Sequence, residues 1–312
     1  MNSQNCCQES NIFSTTTDSD IKTSVQEIYS KIATQSKTQN AQSLCGVGGS
    51  SDNCCQFDYT IFSEDYTKLG GYCKTADMSL GCGIPTAYIT IKKGDFVVDL
   101  GCGAGNDCFV ARDFVGEAGK VIGIDFTSIM LKKAWENLDN LNFNNVEFRF
   151  GDIEDIPIKS GIIDVVISNC VINLIENKTK VFGEISRILK PKGFFSISDV
   201  VLGAELPEKL KKCVELYAGC VSGAVLKSDY LKTIENAGFN AEVRKEKEIV
   251  IPDEILAKFL DEDEIKDFKG KCKILAVTVI GVKNDEKAEV EEVNKKDEIG
   301  KNVDNSGNNK SE

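Results

Sequence analysis

Cysteines and one glycine-rich loop are the residues of this chain with the clearest capacity for chemistry. The 312 residues include 13 cysteines and no histidine. Without the commonest general base and transition-metal ligand, ligand chemistry here must use sulfur or oxygen. The amino terminus carries neither a basic start nor an apolar secretion signal, so we expect a reducing, cytoplasmic setting. There the cysteines would act as ligands, nucleophiles or core residues rather than as disulfides.

The glycine-rich loop reads Asp99-Leu-Gly-Cys-Gly-Ala-Gly105 and joins a predicted strand to a predicted helix. Glycines at such a turn let the backbone approach a bound nucleotide closely. We therefore predict a cofactor cradle that uses Asp99, Gly101, Gly103 and Gly105. The glycine spacing alone does not identify the cofactor, because nicotinamide enzymes use similar loops.

Polar residues at the ends of the next strands extend this cradle. Asp125 closes the second predicted strand, where a carboxylate can accept hydrogen bonds from ribose hydroxyls. Gly151-Asp152-Ile153 closes the third, where an adenine could rest. Asn169 ends the fourth, at the edge where open α/β sheets bind ligands. Asp125 and Asp152 could instead cap following helices, but we favour a nucleoside site because successive strand ends supply it.

The elements that position these residues follow from the alternation of apolar and polar segments. Predicted strands cover 96–99, 120–124, 146–150, 163–168 and 193–201, and predicted helices cover 107–115, 128–138 and 178–189. This alternation predicts a doubly wound α/β fold with a mostly parallel sheet between two layers of helices. Further helices at 208–217 and 227–237 and strands at 242–251 and 274–282 predict a small C-terminal α+β extension.

Shifts in composition divide the chain into five parts. We expect a disordered polar tail at 1–20, a helix with a cysteine-rich cap at 21–92, the nucleotide-binding core at 93–202, the C-terminal part of the fold at 203–283 and a disordered charged tail at 284–312. Within the cap, apolar residues at helical spacing predict an amphipathic helix over 21–37. The cysteine- and glycine-rich stretch 44–55 predicts a loop.

The charge and the apolar pattern of the chain exclude some partners. A formal net charge of −12 disfavours a nucleic-acid binder, since phosphate backbones repel acidic surfaces. The longest apolar run, 161–175, is short for a membrane span and is interrupted by Asp164 and Asn173. We therefore expect neither a nucleic-acid partner nor a membrane. The lack of a long apolar stripe is compatible with a monomer.

The loop and the two acidic strand ends resemble class I S-adenosylmethionine-dependent methyltransferases in the segments Val98–Gly105, Ile124–Asp125 and Gly151–Asp155. Three cysteine motifs narrow the resemblance to arsenite methyltransferases: Ser168-Asn-Cys170-Val-Ile-Asn-Leu174, Gly219-Cys220-Val-Ser-Gly223 and Leu80-Gly-Cys82-Gly-Ile-Pro85. The resemblance covers residues 25–282 and implies a Rossmann-like class I methyltransferase sheet. It also implies S-adenosylmethionine as cofactor, held by Asp99, Gly101, Gly103, Gly105, Asp125, Asp152, Ile153 and Asn169.

The same resemblance implies how the cysteines act. Cys170 and Cys220 correspond to ligands of trivalent arsenic, and Cys82 corresponds to a further ligand or a member of a disulfide relay. A soft arsenic centre suits sulfur ligands, and its lone pair can attack the sulfonium methyl without removal of a proton, so alignment is the main task. The family further implies thiol reductants such as thioredoxin or glutathione, which restore trivalent arsenic after a transfer.

Apart from Cys6 and Cys7 in the polar amino-terminal tail, the remaining cysteines fall into two groups. Cys54-Cys55, with Cys45 upstream, resembles a pair that captures arsenic or forms a disulfide with a catalytic cysteine. The alternatives for this pair are a loop without a role and a zinc site, which would need a fourth ligand such as Cys73. The others are expected in packing positions, since buried cysteine often serves as a small apolar residue: Cys102, Cys108, Cys213 and Cys272.

Departures from the family pattern leave the number of arsenic ligands open. Ala218-Gly219 precedes Cys220 where some members have glutamate, and 77–80 lacks the aromatic residues of other members. Two other functions stay open as well. A methyltransferase for a quinone-like or other small organic acceptor would share the cofactor motifs but leave the three cysteine motifs unexplained. A thiol-rich arsenic or metal binder without activity would not need the intact glycine loop.

Overall fold

The computed structural model describes residues 18–34, 63–211, 221, 223–257 and 259–284. Most of both predicted tails and the predicted loop at 44–55 lie outside these residues. So do several of the cysteines discussed above: Cys45, Cys54, Cys55, Cys213 and Cys220.

Helices and strands alternate through the described chain much as predicted. The helices are α1 (Asp18–Thr34), α2 (Asn106–Val115), α3 (Ser128–Leu141), α4 (Lys178–Ile188), α5 (Glu208–Lys211), α6 (Lys227–Asn236), α7 (Asp253–Leu256) and α8 (Glu262–Lys271). The strands are β1 (Phe96–Leu100), β2 (Lys120–Asp125), β3 (Val146–Phe150), β4 (Ile163–Asn169), β5 (Leu189–Leu202), β6 (Phe239–Ile249) and β7 (Ile274–Lys283). Short 3₁₀ helices lie at Pro85–Tyr88 and Ile172–Leu174.

One seven-stranded sheet contains all of these strands, in the order β3-β2-β1-β4-β5-β7-β6. Strands β1 to β5 are parallel, and β7 lies antiparallel between β5 and β6. The mostly parallel sheet is therefore confirmed. The last two strands, expected in a C-terminal extension, continue the same sheet, because β7 pairs with β5 from Phe194 with Val282 to Leu202 with Ile274.

The sheet is buried on both faces, which is why its strands read as continuous apolar runs. In β1, Val97 packs into the core between the sheet and helices α2 and α3. The next residue, Val98, packs into the opposite core, which includes Phe182 of α4 and Ile234 of α6. Successive side chains of a strand point to opposite faces. Strand β1 therefore contributes to the cores on both faces of the sheet.

Helix α1 covers one edge of the core. Ile32 and Ala33 are buried against Met130 of α3. The helix begins at Asp18 and so includes the last three residues of the segment predicted as a tail, 1–20. None of the helices in the described ranges combines the length and apolar character needed to cross a bilayer.

The order of the strands places a crevice at the centre of the sheet. From β1 the chain moves to β2 on one side, and only later returns to β4 on the other. Open α/β sheets bind ligands at the carboxyl ends of strands that diverge in this way. Asp99 and the glycine-rich loop end β1 at this point, and Asn169 ends β4.

Candidate cofactor cavity and thiol site

A cavity opens at the carboxyl ends of β1 to β4. Its lining includes most of the residues that the sequence assigned to a cofactor, together with one predicted arsenic ligand: Asp99, Gly101, Gly103, Asp125, Asp152, Ile153, Asn169 and Cys170. Helix α1 contributes Lys22, Val25 and Tyr29 to the same wall. The structure thus brings together residues that are up to 153 positions apart in the sequence, from Lys22 to Ile175.

The glycine loop forms a bare surface on one side of this cavity. Gly101 has φ 72° and Gly103 has φ 52°, in the left-handed region that favours glycine. A Cβ on Gly101 would lie 2.3 Å from Cγ2 of Val171, whereas a Cβ on Gly103 would meet nothing within 4 Å. Gly105 faces Phe148 and Phe109 instead, so its missing side chain serves packing. The backbone at Gly103 is therefore open to a ligand, as a cofactor cradle requires.

Asp125 organises the loop from the end of β2. Its Oδ2 accepts a hydrogen bond from the backbone N–H of Gly103 at 2.9 Å, and its Oδ1 accepts one from Thr127 at 2.8 Å. Burial raises the pKa of Asp125, although these hydrogen bonds oppose the shift. The carboxylate holds the loop, positions the start of α3 and lines the cavity, so the local structural role and the predicted ligand role are compatible.

Asp152 lies at the end of β3 and is tied to α1. Its Oδ2 forms an ion pair with Nζ of Lys22 at 2.8 Å, and its Oδ1 accepts from the backbone of Glu154. Lys22 also pairs with Glu154. No helix begins here within the described chain; residues 152–155 form a turn closed by a bridge between Asp152 and Asp155. The sequence did not reveal the partner Lys22, since a lysine on a polar helix face is an ordinary solvated residue.

Three polar residues at the other end of the cavity form a hydrogen-bonded cluster that sequence reasoning missed in part. The hydroxyl of Tyr66 donates to Oδ1 of Asp107 at 2.8 Å, and Nδ2 of Asn169 donates to Oδ2 at 3.1 Å. Asn169 also accepts from the backbone N–H of Cys82 at 3.0 Å. Only Asn169 was predicted. A signal for Asp107 existed, because it is the second residue of the helix that follows the glycine loop.

Cys82 and Cys170 lie in one buried apolar cluster, with 4% and 5% of their surfaces exposed. Cys170 directly follows β4, has φ 61° and donates its backbone N–H to the carbonyl of Ser198 at 2.8 Å. A positive φ is uncommon in a residue other than glycine and persists only where surrounding contacts hold it. The turn directs Cys170 to the cavity wall beside the glycine loop.

Cys220 lies outside the described residues, but the residue that follows it does not. Val221 is fully buried in the apolar cluster that contains Cys82 and Cys170. Two positions further on, the carbonyl of Gly223 accepts a hydrogen bond from Nζ of the buried Lys178 at 3.1 Å. Val221, the residue after the third predicted ligand in the sequence, therefore packs in the same cluster as the other two.

The described cysteines outside these motifs are buried and reduced: Cys73, Cys102, Cys108 and Cys272. Burial raises the pKa of Cys102 to about 11 and that of Cys108 well above its ordinary value. A thiol that stays protonated at neutral pH is a poor nucleophile, which fits the packing positions predicted for both. In the part of the chain that the structure describes, no group of three or more cysteine or acidic residues is arranged to hold a metal ion.

Strand β5 carries a buried carboxylate. Asp199 is fully buried and accepts hydrogen bonds from the hydroxyl of Tyr230 at 3.2 Å and from the backbone of Val200 at 3.0 Å. Burial raises its pKa to about 7 in spite of the opposing charge of Lys178. The charged form of Asp199 is thus disfavoured in the folded protein.

Asp199→Asn should therefore stabilise the protein at pH 8 and leave it nearly unchanged at pH 4. The pKa is near 3.8 in the unfolded chain and about 7 in the folded one, so stability is lost as pH rises between these values. The loss corresponds to at most about 4 kcal/mol at pH 8. Urea unfolding of both proteins at several pH values measures the difference; a difference that stays constant with pH would contradict this account.

Comparison with known proteins agrees with this geometry. Residues 91–238 match a family model described as a methyltransferase domain. The chain is 40% identical over 226 residues to the arsenite methyltransferase of Halobacterium salinarum. The aligned region covers 70% of this chain and 56% of that protein. It is 37% identical over 190 residues to the arsenite methyltransferase of Aquipseudomonas alcaligenes. Here the aligned region covers 58% of this chain and 54% of that protein.

A solved structure extends the similarity to the fold. The crystal structure of an arsenic(III) S-adenosylmethionine methyltransferase from Chlamydomonas reinhardtii superposes with a TM-score of 0.55 and 32% identity, over 64% of this chain and 66% of that one. The chain spans about half the length of the curated relatives it matches. The domain match, the sequence relatives and the similar structure agree with the glycine loop and the three cysteine motifs of this chain. The chain therefore belongs to the arsenite methyltransferase family of the class I methyltransferases.

Proposed function

We propose that this protein transfers methyl groups from S-adenosylmethionine to trivalent arsenic bound by cysteine thiols. One observation carries the proposal: Cys170 lies in the wall of the same cavity as the glycine loop. Cys82 and Val221, the neighbour of Cys220, pack in the apolar cluster of Cys170. Three thiols from distant parts of the chain would thus converge at the edge of a cofactor cavity.

The residues present fit the proposed cofactor. The open backbone at Gly103, the acidic strand ends and the buried Ile153 offer a cradle, hydrogen-bond acceptors for ribose and an apolar surface for adenine. We assign cofactor binding to Asp99, Gly101, Gly103, Asp125, Asp152, Ile153 and Asn169, with Gly105 supporting the loop by packing. When bound, S-adenosylmethionine supplies an electrophilic methyl group on a sulfonium centre.

The protein would contribute alignment and a dry thiol site. Thiolates of Cys170, Cys220 and Cys82 would hold arsenic with its lone pair directed at the cavity, and their burial would exclude water that competes for the soft centre. Transfer of a methyl cation oxidises arsenic from the trivalent to the pentavalent state. We propose that thioredoxin or glutathione returns it to the trivalent state, in a reducing compartment such as the cytoplasm, and that Cys54 and Cys55 capture arsenic or relay a disulfide.

The decisive experiment supplies the purified full chain with arsenite, S-adenosylmethionine and excess thiol. Arsenic species are separated by chromatography and S-adenosylhomocysteine is quantified. We expect methylated arsenic in amounts that match S-adenosylhomocysteine. Cofactor binding without either product, under every thiol used, would favour a small organic acceptor instead. Arsenic binding without cofactor binding would favour the non-enzymatic thiol binder.

Cys82→Ser should impair at least one round of methylation without abolishing cofactor binding. Cys82 is buried beside Cys170, and its backbone is held by Asn169, so serine would keep the packing and remove only the soft ligand. The distribution of mono- and dimethylated arsenic over time measures the effect. A product distribution identical to that of the wild type would remove Cys82 from the ligand set.

A further inference from the structure

The first residue of α4 is a buried lysine. Lys178 has only 9% of its surface exposed. Its Nζ donates to the carbonyl of Ile175 at 2.9 Å and to that of Gly223 at 3.1 Å. A positive charge at the start of a helix opposes the helix dipole, and burial of an ammonium group costs hydration free energy. Neither helix stability nor solvation therefore explains a lysine at this position.

The two carbonyls that Lys178 binds belong to different segments of the thiol site. Ile175 directly follows the 3₁₀ helix after Cys170, and both residues line the cofactor cavity. Gly223 lies two residues after Val221, which packs in the apolar cluster of Cys170. One ammonium group therefore joins the turn that begins at Cys170 to a segment that is distant in the sequence.

Asp199 of β5 balances the charge of Lys178. Burial raises the pKa of Asp199 to about 7, and the positive charge of Lys178 is the largest effect that opposes this shift. The carboxylate also accepts a hydrogen bond from the backbone N–H of Asn173. Asn173 lies in the 3₁₀ helix that follows Cys170. The two buried charges therefore act on the same turn from different elements.

The backbone of this turn needs support. Cys170 has φ 61°, and a residue other than glycine keeps such a conformation only where surrounding contacts hold it. Its N–H donates to the carbonyl of Ser198 at 2.8 Å, and Nδ2 of Asn173 donates to the carbonyl of Val200. Asp199 lies between these two residues of β5 and binds the turn through its carboxylate. Three successive residues of β5 thus hold the turn that carries the thiol.

We propose that Lys178 and Asp199 are positioning residues of the thiol site. The inference rests on the proposed function, in which the thiols bind trivalent arsenic. Lys178 holds the carbonyls of two segments together, while Asp199 fixes the turn of Cys170 and balances the charge of Lys178. The turn then keeps one arrangement before arsenic binds, so that less conformational entropy is lost on binding.

Lys178→Met in the full chain tests the role of the ammonium group. Methionine keeps an unbranched, flexible side chain but removes the charge and the hydrogen-bond donors. We expect the Kd for arsenite to rise by about tenfold or more, and the Kd for S-adenosylhomocysteine to change by less than about twofold. Equilibrium dialysis measures the first and calorimetric titration the second. Lys232→Met, at an exposed lysine of α6, is the matched control and should change neither.

A double variant separates positioning from stability. Lys178→Met alone leaves Asp199 buried without the charge that opposes the rise of its pKa, so this variant should unfold at lower urea concentration than the wild type at pH 8. Lys178→Met combined with Asp199→Asn removes both charges, and neutral replacements of a buried ion pair are often as stable as the pair. We expect the urea midpoint to recover in the double variant, whereas the Kd for arsenite stays raised by about tenfold or more.

The outcomes distinguish the positioning role from a purely structural one. Recovery of arsenite affinity together with stability in the double variant would overturn the proposal, as would wild-type arsenite affinity in a folded Lys178→Met protein. An equal loss of arsenite and S-adenosylhomocysteine binding in the double variant would overturn it as well, because the damage would not be confined to the thiol site. A wild-type protein that retains no arsenic overturns the proposed function itself, which is a different result.

Discussion

Cys170→Ser is expected to abolish methylation of arsenite while affinity for S-adenosylmethionine stays nearly unchanged. Cys170 is buried in the wall between the glycine loop and the apolar cluster. Serine fits the same space, but its hydroxyl is a hard ligand that does not replace a thiolate on trivalent arsenic. Cys220→Ser should have the same effect, since the adjacent Val221 packs in the same cluster.

Turnover, cofactor affinity and bound arsenic should be measured on the same preparations. Each serine variant should lower the arsenic retained per chain, form neither methylated arsenic nor S-adenosylhomocysteine, and bind the cofactor as the wild type does. Cys272→Ser is the matched control, because Cys272 is a buried thiol in the same apolar cluster whose Sγ donates to the carbonyl of Ala204. Normal turnover in Cys170→Ser or Cys220→Ser would refute the thiol assignment.

Asp125→Ala is expected to weaken S-adenosylmethionine binding by on the order of 100-fold. The change removes a proposed acceptor for the ribose hydroxyls. It also leaves the N–H groups of Gly103 and Thr127 without their carboxylate partner, so the glycine loop loses the contact that holds it to the end of β2. Arsenic binding should be unaffected, because the thiols belong to other segments of the chain.

Equilibrium binding of S-adenosylmethionine, with arsenic binding measured in parallel, separates these effects. Asp139→Ala is the control, since Asp139 is exposed on α3, the helix that follows Asp125. Retention of cofactor affinity within about threefold in Asp125→Ala would show that the carboxylate has only a local structural role. Loss of arsenic binding along with cofactor binding would point to general unfolding, which urea titration of the variant would reveal.

Local patterns in the sequence determined the sheet and the cofactor loop. The apolar runs of β1, β2 and β4 and the glycines after β1 depend on backbone geometry within a few residues, and the structure places them as predicted. The position of Asp125 at a strand end follows from the same local signals. Cys170 directly follows β4, which the apolar pattern predicted, and Cys82 packs in the same apolar cluster. The role of both thiols as arsenic ligands stays a prediction.

Tertiary structure alone decided which distant residues complete the cavity. Lys22 meets Asp152 across 130 positions, and Tyr66 meets Asn169 across 103. Likewise, the insertion of β7 between β5 and β6 depends on strand pairing rather than on the pattern of either strand. Periodicity reports which face of an element is buried, but the partner across that face is set by the packing of the whole chain. That is why the glycine loop and the cysteine motifs could be read from the sequence, whereas the hydrogen-bonded cluster around Asp107 and the position of α1 beside the cavity emerged only from the fold.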